Sequence, residues 1–438
     1  MLSLLKTPVF RHLFAAQALA LVGTGLATVA LGLLAFRIGG EDAGLILGTA
    51  LAIKMIAYVT LAPFAAALAA RLPRRAFLVG LDCVRAAVVA ALPFVTEVWQ
   101  IYVLIFLLQA ASAAFTPAFQ AAIPDIFPGE RDYTRALSLL RLTEDMEQIA
   151  SPLLAAALLS VVGFPVLFAG TVAGFAASAL LVGTADVPPR PEGPGERFLA
   201  AASAGVRIYL RTPRLRGALA LEFATAAAGA IVYVNTVVFV EGRFGSGEPQ
   251  VALAFAAFGG GSMLAALALP RLLETVGDRR AMIAGAALML AGVAASAAAT
   301  GLPSLAALWA AVGFGFAMTQ VPVGRILTRS ARAEDRPAVF AAQFALSHAA
   351  WLFAYPLAGW LGASAGLPFA GLALAALGGT ALIATLRLWP AHDPEAVAHA
   401  HPDLPPGHPH LAGDGAAHAH PFVIDRLHRR WPRAGGRA

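Results

Sequence analysis

The sequence predicts an all-α membrane protein of twelve transmembrane helices in two six-helix repeats, with both termini cytoplasmic. Three observations support this fold class. Hydrophobic residues make up 59% of the 438 positions and charged residues only 13%, whereas a soluble domain carries about 25% charged residues. Twelve apolar runs approach or exceed the roughly 20 residues that a helix needs to cross a bilayer. The second half of the chain also repeats residues of the first half at one fixed distance.

The repeat has an offset of 205 residues, and five identities share it. A duplicated half in a membrane chain is the architecture of many alternating-access transporters, so the repeat favours transport. The matching positions are Arg11 with Arg216, Arg74 with Arg279, Arg75 with Arg280, Pro117 with Pro322, and Arg131 with Arg336.

The predicted spans and their orientation come from hydropathy and charge. The runs lie near 13–36, 44–69, 77–95, 101–122, 137–161, 165–184, 217–240, 250–270, 281–300, 304–323, 338–362 and 366–388. Arginines concentrate in alternate gaps between the runs, which by the positive-inside rule places both termini in the cytoplasm. The net charge of +6 therefore reflects topology and not nucleic-acid binding. The first run is too long for a cleaved signal peptide, and Cys83 is the single cysteine, so an internal disulfide is excluded.

Composition divides the chain into four parts. Residues 1–184 and 217–389 are predicted to form the two six-helix bundles. Residues 185–216 form a cytoplasmic linker in which proline and glycine break regular structure. Residues 390–438 form a polar, proline-rich and histidine-rich cytoplasmic tail.

Two cytoplasmic loops carry a family resemblance. The sequence AALAARLPRRAFL between the second and third runs resembles the loop G-x-L-A-D-R-x-G-R-R-x-x-L of the major facilitator superfamily, with Arg71, Arg74 and Arg75 at the matching positions. Alanine and proline replace the usual aspartate and glycines. The second copy, ALPRLLETVGDRRAM, supplies Asp278, Arg279 and Arg280. We expect these residues to form cytoplasmic gating loops. The alternative is that their charge serves only to fix the orientation of the chain in the membrane.

Two further segments resemble one branch of this superfamily. SAAFTPAFQAAIPDIFPGERDYTRALSL is similar to the fourth-span exit of efflux-type members, and GVRIYLRTPRLR to the linker of the group containing macrolide and siderophore exporters. The resemblance covers residues 1 to about 390. It implies a secondary transporter of the drug and siderophore exporter type.

Several polar residues fall inside the predicted spans, where a charge costs about 2.5–3.5 kcal/mol. A buried structural ion pair and a proton or substrate relay are both compatible with Lys54 and Glu147; Glu144 shares the face of Glu147. His348 is either a neutral imidazole bonded to a backbone carbonyl or a proton carrier. In the superfamily, spans one, four, seven and ten line the cavity, which implies substrate contacts at Gln17, Gln109, Glu222, Asn235 and Gln320.

The tail contains three H-x-H pairs, at His399 and His401, His408 and His410, and His418 and His420. In an extended chain the side chains of residues i and i+2 lie on the same side, so each pair can converge on one divalent metal ion. Asp393, Asp403 and Asp414 are possible oxygen ligands. A solvated tail that binds nothing is the alternative. The tail also resembles those of nickel-resistance exporters of the same superfamily in composition and position.

The chain ends in PFVIDRLHRRWP, which has an apolar face if helical. An interfacial helix, docking on the transporter's own cytoplasmic face, and disorder all fit this pattern.

These features favour a non-enzymatic, proton-coupled exporter of a divalent metal such as nickel or cobalt. No nucleotide-binding loop is present in the sequence. The expected partners are the bilayer, the substrate and protons, without nucleic acid and without a cofactor beyond metal ions on the tail. We expect a multi-pass monomer in the inner membrane. The alternatives are an exporter of hydrophobic drugs or small metabolites with a regulatory or inert tail, and a non-transporting receptor or scaffold.

Overall fold

The structure is a computed structural model. It describes residues 2–69, 72–120, 122–129, 132–133, 135–136, 139–140, 143, 151, 154–155, 157–188, 198–332, 335–394, 396–401, 409–411, 417–425 and 427–432. The predicted site residues Arg71, Glu144, Glu147 and His408 lie outside these ranges.

The described part of the chain is almost entirely helical. The first half contains α1 (Pro8–Gly39), α2 (Ala43–Ala69), α3 (Arg74–Ala91), α4 (Val98–Gln120), α5 (Ile123–Ile126) and α6 (Pro165–Thr184). The linker contains α7 (Phe198–Arg211). The second half contains α8 (Pro213–Val237), α9 (Glu248–Val276), α10 (Asp278–Ala295), α11 (Leu302–Gln320), α12 (Val323–Arg329), α13 (Arg336–Ala365) and α14 (Leu367–Leu388). The tail contains β1 (Ala396–Ala400) and β2 (Ala417–Pro421).

Short turns of other helical types extend or join these elements. They are 3-10 turns at Leu2–Lys6, Gly40–Asp42, Leu92–Phe94, Ser296–Ala298 and Pro409–Leu411, and a π-helical turn at Val238–Arg243 that continues α8.

The long helices begin and end within a few residues of the apolar runs, because hydropathy alone sets the length of a membrane span. Ten stretches of the described residues are long and apolar enough to cross a membrane. The first of them, Pro8–Tyr58, includes both α1 and the first part of α2. The predicted fifth span, 137–161, lies largely outside the described residues, so the total of twelve stays a prediction.

Each half packs in the same way. In the first half α1 packs on α6, α2 on α4, and α3 on α6. In the second half α8 packs on α14, α9 on α11, and α10 on α14, which are the equivalent pairs of the repeat. A threonine ties the last helix to the first in both cases, since Thr171 donates to Gly23 O at 2.6 Å and Thr385 donates to Gly217 O at 3.2 Å. The repeat in sequence is therefore a repeat in packing.

The two halves meet mainly along α2 and α13. Gly48 allows this approach, because a Cβ atom there would lie 2.5 Å from the carbonyl oxygen of Tyr355. We call the end of the bundle that carries the linker and the tail the tail end, and the other end the far end. Gly48 lies toward the far end, so the halves are closed against each other there.

The linker is more ordered than its proline and glycine content predicts. Those residues are concentrated in 188–195, whereas 198–211 has good helix-forming residues and forms α7. Ile208 and Tyr209 are buried, and α7 packs against α13. The expectation of irregular structure throughout the linker was wrong for this segment, because an apolar face was available to bury.

Candidate metal centre and polar sites within the bundle

The tail gathers six histidines around one point. Strands β1 and β2 pair antiparallel, with His399 opposite His418 and Val397 opposite His420. Because alternate residues of an extended chain share a face, His399 and His401 present their rings to one side, and so do His418 and His420. We call the group the histidine cluster, and its members are His399, His401, His410, His418, His420 and His428.

The ring nitrogens of the cluster lie at ligand-to-ligand distances. The Nε2 atom of His428 is 3.0 Å from that of His399 and 3.1 Å from that of His401. The Nε2 atom of His410 is 3.1 Å from that of His401, 3.1 Å from that of His418 and 3.4 Å from that of His420. Two overlapping groups of four have all their ligand atoms within 4.8 Å of one another. Imidazole nitrogens in this arrangement can hold a divalent transition metal ion.

Hydrogen bonds on the opposite ring nitrogen orient three of the six rings. The Nδ1–H group of His399 donates to Val397 O at 2.9 Å, and that of His420 donates to Pro421 O at 2.9 Å. The Nδ1–H group of His428 donates to the carboxylate of Asp425 at 3.0 Å. Each bond fixes the tautomer in which Nε2 keeps its lone pair, the usual outer-shell arrangement of metal-binding histidines.

Electrostatics favour the neutral ring at two members of the histidine cluster, His428 and His410. Burial and the neighbouring imidazoles, against the opposing effect of Asp425, lower the pKa of His428 to about 4. Burial and the adjacent imidazoles also lower the pKa of His410 to about 4. A metal ion binds only the neutral form of imidazole, so at neutral pH few protons compete with a metal ion for these nitrogens.

Among the described residues, the tail docks on the linker and the second half. Phe422 and Ile424 are buried against α7, α8 and α12. Asp425 forms an ion pair with Arg332, and Arg214 lies over the Trp431 ring at 5.1 Å from its centroid. Residues 422–425 and 427–432 are irregular, so of the three alternatives for this segment, docking on the protein's own surface agrees with the structure. Its apolar side chains instead pack on the transporter's own surface, which removes them from water without requiring a helix.

Asp393 has a different role from the predicted oxygen ligand. Its carboxylate accepts hydrogen bonds from Arg329 at 2.6 Å and from the indole of Trp389 at 3.1 Å, and lies 3.2 Å from Arg214. It joins the start of the tail to α8 and α12. Asp403 and Asp414 lie outside the described residues.

A buried carboxylate network lies inside the second half. Glu222 on α8 accepts from Gln320 Nε2 at 3.2 Å and from Gln343 Nε2 at 2.9 Å. Tyr209 in turn donates to the Gln343 side-chain oxygen. The structure thus brings together two predicted cavity residues, Glu222 and Gln320. Such a buried carboxylate, held by neutral amides, is a candidate site for a proton or a cation.

The other predicted membrane residues are spread over the bundle. Lys54 on α2 lies near His348 on α13, and both are half-buried. The Nδ1–H group of His348 donates to Phe344 O at 2.7 Å, and its ring stacks on Phe344 at 3.8 Å. This is the backbone hydrogen bond of the first alternative, and a protonated imidazole donates it equally well.

Three remaining cavity predictions lie elsewhere. Asn235 is buried and donates to Ala358 O at 3.0 Å, so it joins α8 to α13. Gln17 on α1 is half-buried and Gln109 on α4 is buried. Each of these three was predicted from its helix position alone, and the hydrogen bonds described for Glu222 involve Gln320 and Gln343.

The arginine loops hold the chain just beyond the last helix of each half. In the first half Arg74 pairs with Asp125 at 2.7 Å and donates to Pro188 O at 3.0 Å. In the second half Arg279 donates to Trp389 O at 3.0 Å. Asp278 lies 3.5 Å from Arg325. Arg75 and Arg280 belong to the same loops and are exposed.

Sequence reasoning missed one buried ion pair and one member of the histidine cluster. Asp82 and Arg85 on α3 form a salt bridge, Ser178 donates to Asp82 at 2.7 Å, and Arg85 lies over the Phe115 ring. The signal was available, since opposite charges at i and i+3 in an apolar run share one helix face. His428 had no comparable signal, because it stands alone between arginines.

A separate cavity of about 330 Å³ opens at the far end between the two halves. Phe164 N donates to Glu248 at 3.0 Å across it, which links the first half to the second. Its lining residues are Leu33, Phe36, Arg37, Phe164, Glu241 and Glu248.

Comparison with solved structures shows the same fold in several transporters. The nucleoside transporter NupG has 14% identity and a TM-score of 0.67, over 87% of this chain and 98% of that one. A bacterial homolog of the human lysosomal transporter Spinster has 15% identity and a TM-score of 0.58, over 87% and 94%. A POT family transporter in complex with 5-aminolevulinic acid has 12% identity and a TM-score of 0.62, over 86% and 96%. At these identities the likeness concerns the fold alone.

Comparison with curated protein sequences gave no match. The model of the Major Facilitator Superfamily, however, matches residues 13–247 and again residues 218–424. The matched residues cover nearly the whole chain, and the second match begins near the start of the second repeat. The chain is a multi-pass membrane transporter that belongs to the Major Facilitator Superfamily.

Proposed function

We propose that this transporter exports a divalent transition-metal ion such as Ni²⁺ or Co²⁺ from the cytoplasm, driven by inward proton flow. It acts as a twelve-helix monomer in the inner membrane, with the tail end in the cytoplasm. The arginine-rich gaps support this orientation, because short loops rich in arginine stay on the cytoplasmic side.

The histidine cluster is the observation that carries the metal assignment. Six imidazoles meet at the tail end, beside the linker and the arginine loops. Imidazole is a ligand for nickel, copper, zinc and iron and has little affinity for the hard ions Mg²⁺ and Ca²⁺. A cytoplasmic cluster of this type collects metal ions on the side from which an exporter takes its substrate.

Glu222 is the residue that we assign to coupling. Its carboxylate is buried within a span and held by Gln320 and Gln343. A proton entering down a potential of about 100 mV releases about 2.3 kcal/mol, which is enough to bias an alternating-access cycle. Exchange of a proton for a metal ion at this carboxylate links the two fluxes.

Flux measurements in proteoliposomes test this function. Purified full-length protein is reconstituted, Ni²⁺ movement is followed with a pH gradient imposed, and collapse of the gradient should stop accumulation. The double variant His399→Ala/His410→Ala should lose Ni²⁺ accumulation in the proteoliposomes at low metal concentration. His392 is an exposed tail histidine outside the cluster, so His392→Ala should keep this accumulation. Absence of metal flux from correctly folded protein under any gradient refutes the proposal.

A second candidate function is export of an aromatic or hydrophobic organic molecule. Aromatic rings follow the contact between α2 and α13: Tyr58 lies 6.1 Å from Phe344, and Trp351 lies 4.9 Å from Tyr355. Stacking on such rings suits planar organic substrates. This candidate is favoured if Trp351→Ala lowers the drug tolerance of cells that express the protein and leaves their nickel tolerance unchanged.

A further inference from the structure

We propose that the histidine cluster binds a single divalent metal ion in six-coordinate, octahedral geometry, with all six ligands supplied by imidazole Nε2 atoms. The inference rests on the premise of the proposed function that the tail binds a divalent metal ion. It goes beyond that premise by fixing the number of ions, the ligand set and the coordination geometry. It also adds His428, which lies outside the H-x-H pairs.

The nitrogen distances agree with an octahedron. With a metal–nitrogen distance of about 2.1 Å, adjacent ligands of an octahedral site lie about 3.0 Å apart and those of a tetrahedral site about 3.4 Å apart. Four of the five Nε2 distances are 3.0–3.1 Å, and the fifth, from His410 to His420, is 3.4 Å. His399 and His410, which would be opposite ligands about 4.2 Å apart, belong to both groups of four whose ligand atoms lie within 4.8 Å of one another.

The arrangement of the rings supports the same geometry independently. Twelve pairs of rings have centroids 4.6–5.5 Å apart, and an octahedron has twelve edges. His399 and His410 are the two axial rings, since each neighbours the other four and their own centroids are 6.2 Å apart. The four equatorial rings follow in the order His401, His428, His420, His418.

Two metal ions do not fit the cluster. The two possible four-ligand sets share His399 and His410. A neutral imidazole has a single acceptor nitrogen with one lone pair, so neither shared ring can bind two ions at once. Without the shared rings, each set keeps two ligands. One central ion that uses all six lone pairs is the arrangement that leaves no ring unused.

The geometry selects a class of ion. Structural Zn²⁺ sites are almost always tetrahedral with four ligands. Cu²⁺ prefers square-planar or tetragonal geometry, whereas a six-nitrogen octahedron suits Ni²⁺, Co²⁺ and Fe²⁺, with Ni²⁺ bound most tightly of these three. The ligand set is neutral, so the ion keeps its full charge of +2 at the cytoplasmic face.

The test uses purified full-length protein loaded with Ni²⁺ and, separately, with Co²⁺. X-ray absorption at the nickel edge should show six nitrogen neighbours at about 2.1 Å with imidazole scattering, and equilibrium dialysis should give one ion per chain. The Co²⁺ form should show the weak visible absorption of six-coordinate cobalt. Intense tetrahedral cobalt bands, fewer than five imidazoles, or two ions per chain would overturn the proposal.

Variants separate this inference from the proposed transport function. His428→Ala should replace one imidazole by water and weaken Ni²⁺ binding at least as much as the roughly 10–100-fold that follows the loss of an outer-shell partner. His392→Ala should change neither the number of imidazole ligands nor the affinity. Unchanged affinity and coordination in His428→Ala contradict the six-ligand site. Thermal unfolding of the membrane helices checks that each variant is folded. Octahedral binding without metal flux contradicts the transport proposal alone, and flux with four-coordinate binding contradicts this inference alone.

Discussion

Replacement of Asp425 tests whether Ni²⁺ binding by the histidine cluster depends on the carboxylate that orients His428. One oxygen of this carboxylate accepts hydrogen bonds from Leu427 N at 2.8 Å, from His428 N at 2.7 Å and from His428 Nδ1 at 3.0 Å. The other oxygen pairs with Arg332. In Asp425→Ala the turn that carries His428 loses its acceptor, and the ring is free to rotate and to change tautomer.

The size of the effect follows from these contacts. Loss of an outer-shell partner of a metal-binding histidine typically lowers affinity 10–100-fold, which corresponds to about 1.4–2.7 kcal/mol. Asp425→Ala should lie at the upper end, because it also removes two backbone acceptors and the ion pair that docks the tail. Asp425→Asn keeps one oxygen that can accept from the same groups and loses mainly the ion pair, so about tenfold or less is expected.

Ni²⁺ affinity is measured by competition with a chromogenic chelator on purified full-length protein at pH 7.5, a pH about one unit above the ordinary imidazole pKa. His392→Ala serves as the matched control in the tail. The expected order of affinity is wild type and His392→Ala, then Asp425→Asn, then Asp425→Ala. Equal affinity of Asp425→Ala and wild type would refute the positioning role of this carboxylate.

Three further substitutions address the membrane bundle. Glu222→Gln should abolish both pH-driven accumulation and downhill metal exchange in proteoliposomes, since the carboxylate at which a proton is exchanged for a metal ion is lost. Gly48→Leu should hold the far end open, because its side chain meets a backbone carbonyl. In a Cys83→Ser background, Leu33→Cys places a thiol in the far-end cavity, and its reaction with a thiol reagent should be faster with Gly48→Leu; Gly80→Leu, at a glycine with nothing within 4 Å, is the control. Arg85→Met should lower the free energy of unfolding by about 3–5 kcal/mol by leaving Asp82 unpaired, and Asp82→Asn in the same chain should recover most of it.

The helices were predictable because their cause is local. Each span requires about 20 apolar residues, and the observed α6 (Pro165–Thr184) and α14 (Leu367–Leu388) agree with the runs 165–184 and 366–388. The packing of the halves was predictable from the repeat, since equal sequences bury equal faces. The family followed from two short arginine loops, which hold the chain at the ends of both halves.

The histidine cluster was only partly predictable, because its assembly is not local. The H-x-H spacing indicates that two rings share a side of a strand, but it does not give the register that sets His399 opposite His418. The hairpin pairs strands separated by a long connection, and His428 enters from a turn built on Asp425. Neither feature has a periodic signal, so the sequence indicated a loose metal-binding tail where the structure has an ordered cluster.

The positions at which the repeat fails separate the two halves by function. The second half has Glu222 where the first has Gln17, and the first half has Asp82 and Arg85 where the second has alanine and leucine. In the first half the charges neutralise each other in a closed, buried pair. In the second half the carboxylate of Glu222 accepts hydrogen bonds from the side-chain amides of Gln320 and Gln343. Among the described residues the tail docks on the linker and this same half. The proposed function therefore assigns both metal capture and coupling to the second half, with the first half as the matching frame against which it moves.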